Sequence, residues 1–183
     1  MKKGKAVVLA ALALALGAGT ASAAPNANKF GLGYQGVVAG NFLQGISGRY
    51  WFDEKVAGEL NLFYGTVGAD AGSVHLGDAD LFLATAKVLY APVVKPNSRF
   101  YVGLEGGLGS IGGDVASDTS IWTVEPLVGA EFNFTEIPEL GFNFEVGYKW
   151  HHINTSDLSV QGADITDLNI DGTTVAIGAH YYF

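Results

Sequence analysis

The stretch at residues 140–151, LGFNFEVGYKWH, decides the fold, because apolar and polar residues alternate through all of it. One set of alternate positions is entirely apolar or aromatic: Leu140, Phe142, Phe144, Val146, Tyr148 and Trp150. The other set holds glycine and polar residues: Gly141, Asn143, Glu145, Gly147, Lys149 and His151. Successive side chains of a strand point to opposite faces, so this period of two predicts a strand. Its length suits a tilted membrane-crossing strand, which takes about 9–11 residues.

The same alternation recurs along the chain and predicts eight strands. Besides the first stretch, five clear segments and two weaker ones lie near 56–65, 80–91, 98–110, 120–134 and 175–183, and near 30–38 and 46–52. No later segment has the roughly 18–20 apolar residues of a membrane helix. Lipid tolerates strands only where a closed barrel leaves no edge unpaired. We therefore predict an all-β fold, an eight-stranded antiparallel up-and-down transmembrane β-barrel.

Alternation alone fits two kinds of barrel, which differ in the face that the apolar residues occupy. A soluble barrel puts them inside, whereas a membrane barrel puts them outside against lipid. Glycine is frequent on the polar face, as a narrow interior requires, and aromatic residues concentrate near the strand ends. Both signs of charge also share the polar face, where they could neutralise one another. These features favour the membrane barrel, with Phe144 toward lipid and its neighbour Glu145 toward the lumen.

The lengths of the predicted connections give a topology. Short connections lie at 53–55, 92–97 and 135–138, and a fourth short one lies at 39–44. Longer ones lie at 66–78, 111–119 and 152–173. Outer-membrane barrels have short periplasmic turns and longer external loops. We expect the three long connections outside the cell.

The first 23 residues have the pattern of a secretory signal peptide. Lys2, Lys3 and Lys5 are followed by an apolar run and then by Ala21-Ser22-Ala23. A basic start, a short apolar segment and small residues at the end are typical of export signals. We expect cleavage after Ala23, which leaves residues 24–183 as the barrel domain.

Composition excludes several functions. Without the three signal lysines, seven Lys and Arg remain against 18 Asp and Glu, a net charge of −11. Nucleic-acid binding requires a basic face, so we expect no nucleic-acid partner. The chain has no Cys, which excludes disulfides and thiolate metal sites.

Charged residues on the polar face are the candidate site. In an eight-stranded barrel side chains just fill the interior, so charges there must pair. We expect a structural plug rather than a gated ion path. Its predicted members are Arg49, Glu59, Lys87, Glu105, Glu125, Glu131, Glu145 and Lys149.

The end of the sequence carries a family resemblance. The alternating stretch Val175–Phe183 ends in Tyr181-Tyr182-Phe183, and Gly48-Arg49-Tyr50-Trp51-Phe52 precedes an Asp-containing turn. Both stretches resemble outer-membrane β-barrel proteins of the small porin or OmpA/OmpX-like kind. The resemblance covers the predicted mature chain and implies an outer-membrane location. It also implies that Tyr181 and Phe183 form an assembly signal read by the barrel-assembly machinery.

Other motifs favour no catalytic, cofactor or metal site. Residues 107–112 match G-x-G-x-x-G, but a loop-like segment follows instead of the helix that a dinucleotide site needs. His151, His152, Thr155 and Ser156 invite comparison with lipid A deacylases, whose His-x-Ser-Asn run is absent here, as is an orienting Glu after Glu145. A metal site from His75, His151 and His152 is disfavoured, because adjacent strand residues face opposite ways.

Acidic residues dominate the long connections, which contain no Lys or Arg. They are Asp70, Asp78, Asp114, Asp118, Asp157, Asp164, Asp167 and Asp171. We expect a solvated surface; the alternatives are cation bridging to lipopolysaccharide or partner binding.

The sequence thus predicts a monomeric, non-enzymatic outer-membrane protein without cofactor. Its expected role is structural, adhesive or in surface interaction, with outer-membrane lipid and lipopolysaccharide as partners. A narrow solute or ion channel and a lipid-modifying enzyme are the alternatives.

Overall fold

A computed structural model of the protein describes residues 26–27, 29–38, 43–71, 74–113, 119–160 and 163–183. The predicted signal peptide lies outside these residues, so its cleavage stays a prediction. The described residues form eight strands: β1 (Phe30–Val37), β2 (Leu43–Trp51), β3 (Val56–Ala71), β4 (Val74–Lys95), β5 (Ser98–Gly113), β6 (Thr119–Asn133), β7 (Leu140–Val160) and β8 (Ala163–Tyr182). Within the part of the chain that is described, no helix has the length and hydropathy needed to span a membrane.

Each strand pairs antiparallel with the next one, and β1 pairs with β8 to close the barrel. Closure gives every strand two neighbours and removes the open edges that a sheet otherwise presents. The predicted eight-stranded antiparallel barrel is therefore confirmed.

Pro126 interrupts the ladder between β6 and β7. Val124 pairs with Trp150 and Leu127 with Gly147, while Glu125 and Pro126 make no pair with β7. Proline has no N–H to donate, so a ladder bond is lost where it stands. The register on either side of the gap is the same, so the two strands stay aligned.

The faces are those that the alternation predicts. Glu145 is buried inside the barrel, whereas its neighbour Phe144 lies on the outer face and is half-buried. Large apolar side chains cover the outside, among them Leu60, Val88, Leu104, Leu108, Trp122, Trp150 and Ile177, all at least 44% exposed. A barrel whose apolar residues face outward and whose charges face inward is inverted relative to a soluble protein.

Two predicted loops are wrong, because the structure continues the strands through them. The segment 66–78 belongs to the β3–β4 hairpin, which pairs as far as Ala71 with Val74. The segment 152–173 belongs to the β7–β8 hairpin, which pairs as far as Val160 with Ala163. Polar side chains suggested loops there, but an antiparallel ladder needs only backbone partners. Asp167 and Asp171 accordingly lie exposed on β8 rather than in a loop.

At the other end of the barrel, one of the three predicted connections is shorter than expected. The segment 92–97 lies mostly in β4, which has a bulge between Tyr90 and Val93, and the turn covers residues 96–97. Between β2 and β3, the Asp53 carboxylate accepts hydrogen bonds from the backbone N–H groups of Lys55 (2.6 Å) and Val56 (2.8 Å). These donors lower the pKa of the Asp53 carboxyl. The side chain thereby supplies the local bonds that a tight turn requires.

Candidate functional site

The eight charged residues predicted for the interior all lie inside the barrel. Their side chains come from β2 to β7 and point inward because they share the inward parity of their strands. None is more than 6% exposed: Arg49, Glu59, Lys87, Glu105, Glu125, Glu131, Glu145 and Lys149. We call this group the charge cluster.

Arg49 lies at one end of the charge cluster and contacts three carboxylates. Its Nε donates to Glu59 Oε2 at 2.5 Å, its Nη1 to Glu131 Oε2 at 2.8 Å and its Nη2 to Glu145 Oε1 at 3.0 Å. The planar guanidinium has five N–H donors in a fixed fork, which suits simultaneous contact with several carboxylates. Arg49 therefore ties together strands β2, β3, β6 and β7.

Two lysines extend the charge cluster along the lumen. Lys87 Nζ lies 2.5 Å from Glu145 Oε2, 3.0 Å from Glu59 Oε1 and 3.5 Å from Glu105 Oε2. Lys149 Nζ lies 2.7 Å from Glu105 Oε1 and 2.8 Å from Glu125 Oε2. Since Glu59 and Glu145 also contact Arg49, the ion pairs form one continuous chain from Glu131 to Glu125.

Three further interior side chains contact the charge cluster but were not among its predicted members. Arg99 Nη1 lies 3.3 Å from Glu131 Oε1, and the guanidinium carbon of Arg99 lies over the Trp51 ring, 4.1 Å from its centroid. Tyr101 donates to Glu145 (2.8 Å) and Tyr182 donates to Glu131 (2.6 Å). The signal was present: Arg99 and Tyr101 have the same parity on β5 as Glu105, so extending the alternation toward the turn identifies them.

Apolar groups border the charge cluster at both ends. Toward the 52–55 turn, Trp51, Leu89, Tyr101, Leu127 and Tyr182 pack together with Ala57 and Ala91. Toward the opposite end, Leu43, Phe63 and Leu83 pack with Val37 and Leu81 on the β1–β4 side. Burial among apolar groups strengthens the attraction between charges, and it makes an unpaired charge costly.

Little space remains between these side chains. A cavity of about 10 Å³ lies among Lys87, Glu105, Glu125, Glu145 and Lys149, which is room for about one water molecule. A wider cavity of about 290 Å³ lies at the mouth, lined by Leu43, Leu83, Lys149, His151 and Asp171 among others. Lys149 lines both cavities, so the cavity at the mouth reaches the charge cluster.

Glycines create the space that the large interior groups fill. A Cβ on Gly147 would overlap the Glu125 carboxylate, which therefore occupies the space that this glycine leaves. A Cβ on Gly129 would lie 2.6–2.9 Å from ring and hydroxyl atoms of Tyr101. Two inward glycines thus permit one ion pair and one aromatic contact.

We expect Gly129→Ala to destabilise the barrel by about 1–3 kcal/mol, the usual cost of overpacking a filled core. The Tyr101 ring must move, and its hydrogen bond to Glu145 is disturbed. Gly106→Ala is the matched control on the neighbouring strand, since a Cβ there meets nothing within 4 Å. Urea unfolding in lipid vesicles measures both. Equal midpoints for the two variants would show that the interior is not tightly filled at Tyr101.

The histidines of the predicted cluster lie on opposite faces. His151 lines the mouth cavity. His152 lies outside, with its ring 5.3 Å from that of Trp122 and its Nδ1 2.6 Å from Asn169 Oδ1. Its Nε2 lies 3.5 Å from Asp167 Oδ1, an acidic neighbour that sequence order did not reveal because β8 supplies it. The side chains of Thr155 and Ser156 are outside those described.

The structure also gives the positions of the glycine motif, the candidate metal ligands and the C-terminal aromatic residues. The glycine motif at 107–112 lies within β5, so no helix begins there to hold a pyrophosphate. Among the described residues, no three His, Asp or Glu side chains are grouped to hold a metal ion; the side chain of His75 is not among them. Tyr181 and Phe183 point outward with their rings 5.2 Å apart. Their part in assembly stays a prediction.

Solved structures share this architecture. The outer membrane protein OprG from Pseudomonas aeruginosa matches with a TM-score of 0.56 and 18% identity, over 89% of this chain and 99% of that chain. The outer membrane protein AlkL, solved in DMPC lipid bilayers, matches with a TM-score of 0.57 and 14% identity, over 91% and 95%. No protein-family model and no curated protein matches the sequence. The chain therefore has the fold of small eight-stranded outer-membrane β-barrels.

Proposed function

We propose that the protein is an integral outer-membrane β-barrel that acts as a closed scaffold, with a structural or surface-interaction role and no catalytic activity. The observation that carries this proposal is the inverted distribution of side chains. The outer face is apolar around the barrel, and ion pairs fill the interior. Such a surface is stable in hydrocarbon and would aggregate in water. Lipid and lipopolysaccharide are then its constant partners, and a monomer suffices to close the barrel.

The interior favours a scaffold over a channel. An ion crossing the lumen would have to pass Lys149, Lys87 and Arg49, which are each bound to two or more carboxylates. Breaking a buried ion pair costs about 3–5 kcal/mol, and the space beside these groups holds about one water molecule. Conduction would require several such breaks along one path.

The outer hairpins favour interaction at the surface. The β3–β4 and β7–β8 pairs are the longest in the barrel and continue well beyond the outward aromatic residues Tyr64 and Trp150. Paired strands hold their side chains more rigidly than loops of equal length. We propose that the exposed carboxylates of Asp80, Asp167 and Asp171 on these hairpins belong to a surface that a partner or bridging cations would meet.

A lipid-modifying activity is the less favoured alternative. His152 and Asp167 make an outward pair beside Trp122, but a hydrolase also needs a nucleophile within hydrogen-bond reach of the base. Release of an acyl chain from lipid A by the purified protein, lost in His152→Gln, would establish this activity.

We expect the folded protein to show no steady conductance in planar bilayers, because the charge cluster occupies the lumen. The control is the same preparation after heat unfolding. Steady conductance that heating abolishes, and whose ion selectivity changes in Lys149→Glu, would show a path through the lumen. That result would replace the scaffold with a channel.

A further inference from the structure

The outer wall of the barrel has a groove across strands β3 to β6. Its floor is made of the small outward residues Ala84, Ala86 and Gly106, and its walls include Leu60, Leu108 and Trp122. Its volume is about 640 Å³, within the range of about 300–1,000 Å³ that ligand pockets have. The lining side chains that face outward are all apolar, apart from the indole N–H of Trp122.

The groove results from side-chain size rather than from a gap in the sheet. The ladders pair Leu60 with Ala86 and Ala86 with Gly106 without a register shift. A Cβ on Gly106 would meet nothing within 4 Å, so the floor is open toward the surroundings. Three small residues thus lie next to one another, bordered by the large outward side chains of Leu60, Leu104 and Leu108.

One end of the groove leads to a polar rim. Two residues beyond Leu108 and Trp122, the outward positions are Ser110 and Ser120, which pair with each other. On the neighbouring strands, Tyr64 donates to Asp80 at 2.9 Å. The outer face therefore changes from apolar to hydroxyl-bearing within one step of the alternation, as it does where hydrocarbon meets headgroups.

We propose that this groove seats one acyl chain of a bilayer lipid, with the headgroup beside Ser110 and Ser120. The proposal rests on the membrane location proposed above, because the groove continues the lipid-facing surface. A narrow, flexible hydrocarbon chain can follow the floor and gain dispersion contacts with both walls. A second copy of the barrel is convex and carries large side chains, so it would bridge the walls and leave the floor empty.

The fluorescence of Trp122 reports on an acyl chain in the groove, because the indole ring forms one wall of the groove. In the Trp150→Phe variant the remaining indoles are Trp122 and Trp51, and Trp51 is fully buried inside the barrel. The folded variant in detergent micelles is titrated with a phosphatidylcholine that carries a dibrominated acyl chain, a contact quencher of indole fluorescence. If one acyl chain binds in the groove, quenching of Trp122 fluorescence should saturate near one lipid per barrel.

Matched variants locate the effect. Gly106→Leu, made in the Trp150→Phe background, fills the floor and should remove the saturating part of the quenching. Ala86→Leu should do the same, which keeps the test valid if either variant fails to fold. Ala179→Leu puts the same side chain on the outward face of β8, across the barrel, and should leave saturation unchanged. Heat-modifiability on a gel checks that each variant is folded.

Two results would contradict the proposed acyl-chain site. One is quenching that rises linearly with lipid concentration, and the other is saturation that persists in both Gly106→Leu and Ala86→Leu. A separate measurement tests the membrane location on which it rests. In Trp122→Phe, the outward Trp150 should be quenched when the protein is inserted in vesicles of the brominated lipid. If Trp150 is quenched and the quenching of Trp122 does not saturate, the proposed acyl-chain site is wrong and the proposed membrane location is still supported. If Trp150 is not quenched, the location itself is wrong.

Discussion

Arg49→Met is expected to destabilise the barrel by about 3–5 kcal/mol, the cost of removing one partner from buried ion pairs. Arg49 is fully buried and bonds to Glu59, Glu131 and Glu145, each of which would lose a buried cationic partner in the variant. Methionine has a similar length, so loss of packing contributes little to the change. Urea unfolding of the variant refolded in lipid vesicles measures the loss.

A double-mutant cycle separates charge from packing at this position. Glu145→Gln alone leaves Arg49 with Glu59 and Glu131, and leaves Lys87 with Glu59 and Glu105. It should therefore destabilise the barrel less than Arg49→Met. In the double variant one of the three carboxylates that lose Arg49 as a partner is itself gone, so the combined loss of stability should be smaller than the sum of the two single losses. Losses that add to within about 0.3–0.5 kcal/mol would show that the two groups do not interact.

Arg49→Lys tests whether the fork of the guanidinium matters beyond its charge. A lysine ammonium keeps the charge but is a compact donor that cannot match the three contacts of the guanidinium. We expect Arg49→Lys to be less stable to unfolding than the parent and more stable than Arg49→Met. Full stability in Arg49→Lys would mean that charge alone suffices at this position.

Leu104→Arg is expected to destabilise the vesicle-inserted barrel by about 2–4 kcal/mol, because the charge would lie near the bilayer midplane. Leu104 is 57% exposed in the middle of β5, opposite Val88 and Pro126. Leu104→Met, which changes shape but not polarity, should be nearly neutral. Unfolding in vesicles checks both variants.

Depth provides the control for this prediction. Ile137 is 49% exposed in the turn between β6 and β7, where the membrane interface is expected. Ile137→Arg should cost only about 0–1 kcal/mol, as charges do near the interface. If Leu104→Arg is as harmless as Ile137→Arg, the outer face meets water rather than lipid, and the proposed membrane location is wrong.

The sequence by itself determined the number of strands, the central part of each strand and the face on which the charged side chains of those parts lie. A period of two assigns faces without knowledge of the partner strand, because it is a local property of extended backbone. That is why residues as far apart as Arg49, Glu105 and Lys149 were placed together in the interior before any contact was known. The strand number followed from counting the same pattern.

Only the tertiary structure decided which charges pair and how far the hairpins extend. The contact of Arg49 with Glu145 depends on barrel closure and strand tilt, which bring β2 and β7 side chains across the lumen. The pairing of 66–71 with 74–80 depends on backbone hydrogen bonds between strands, to which polar side chains give no signal. The lumen is filled because Gly129 and Gly147 stand where Tyr101 and Glu125 need room, a fit between neighbouring strands that no single strand's sequence reveals.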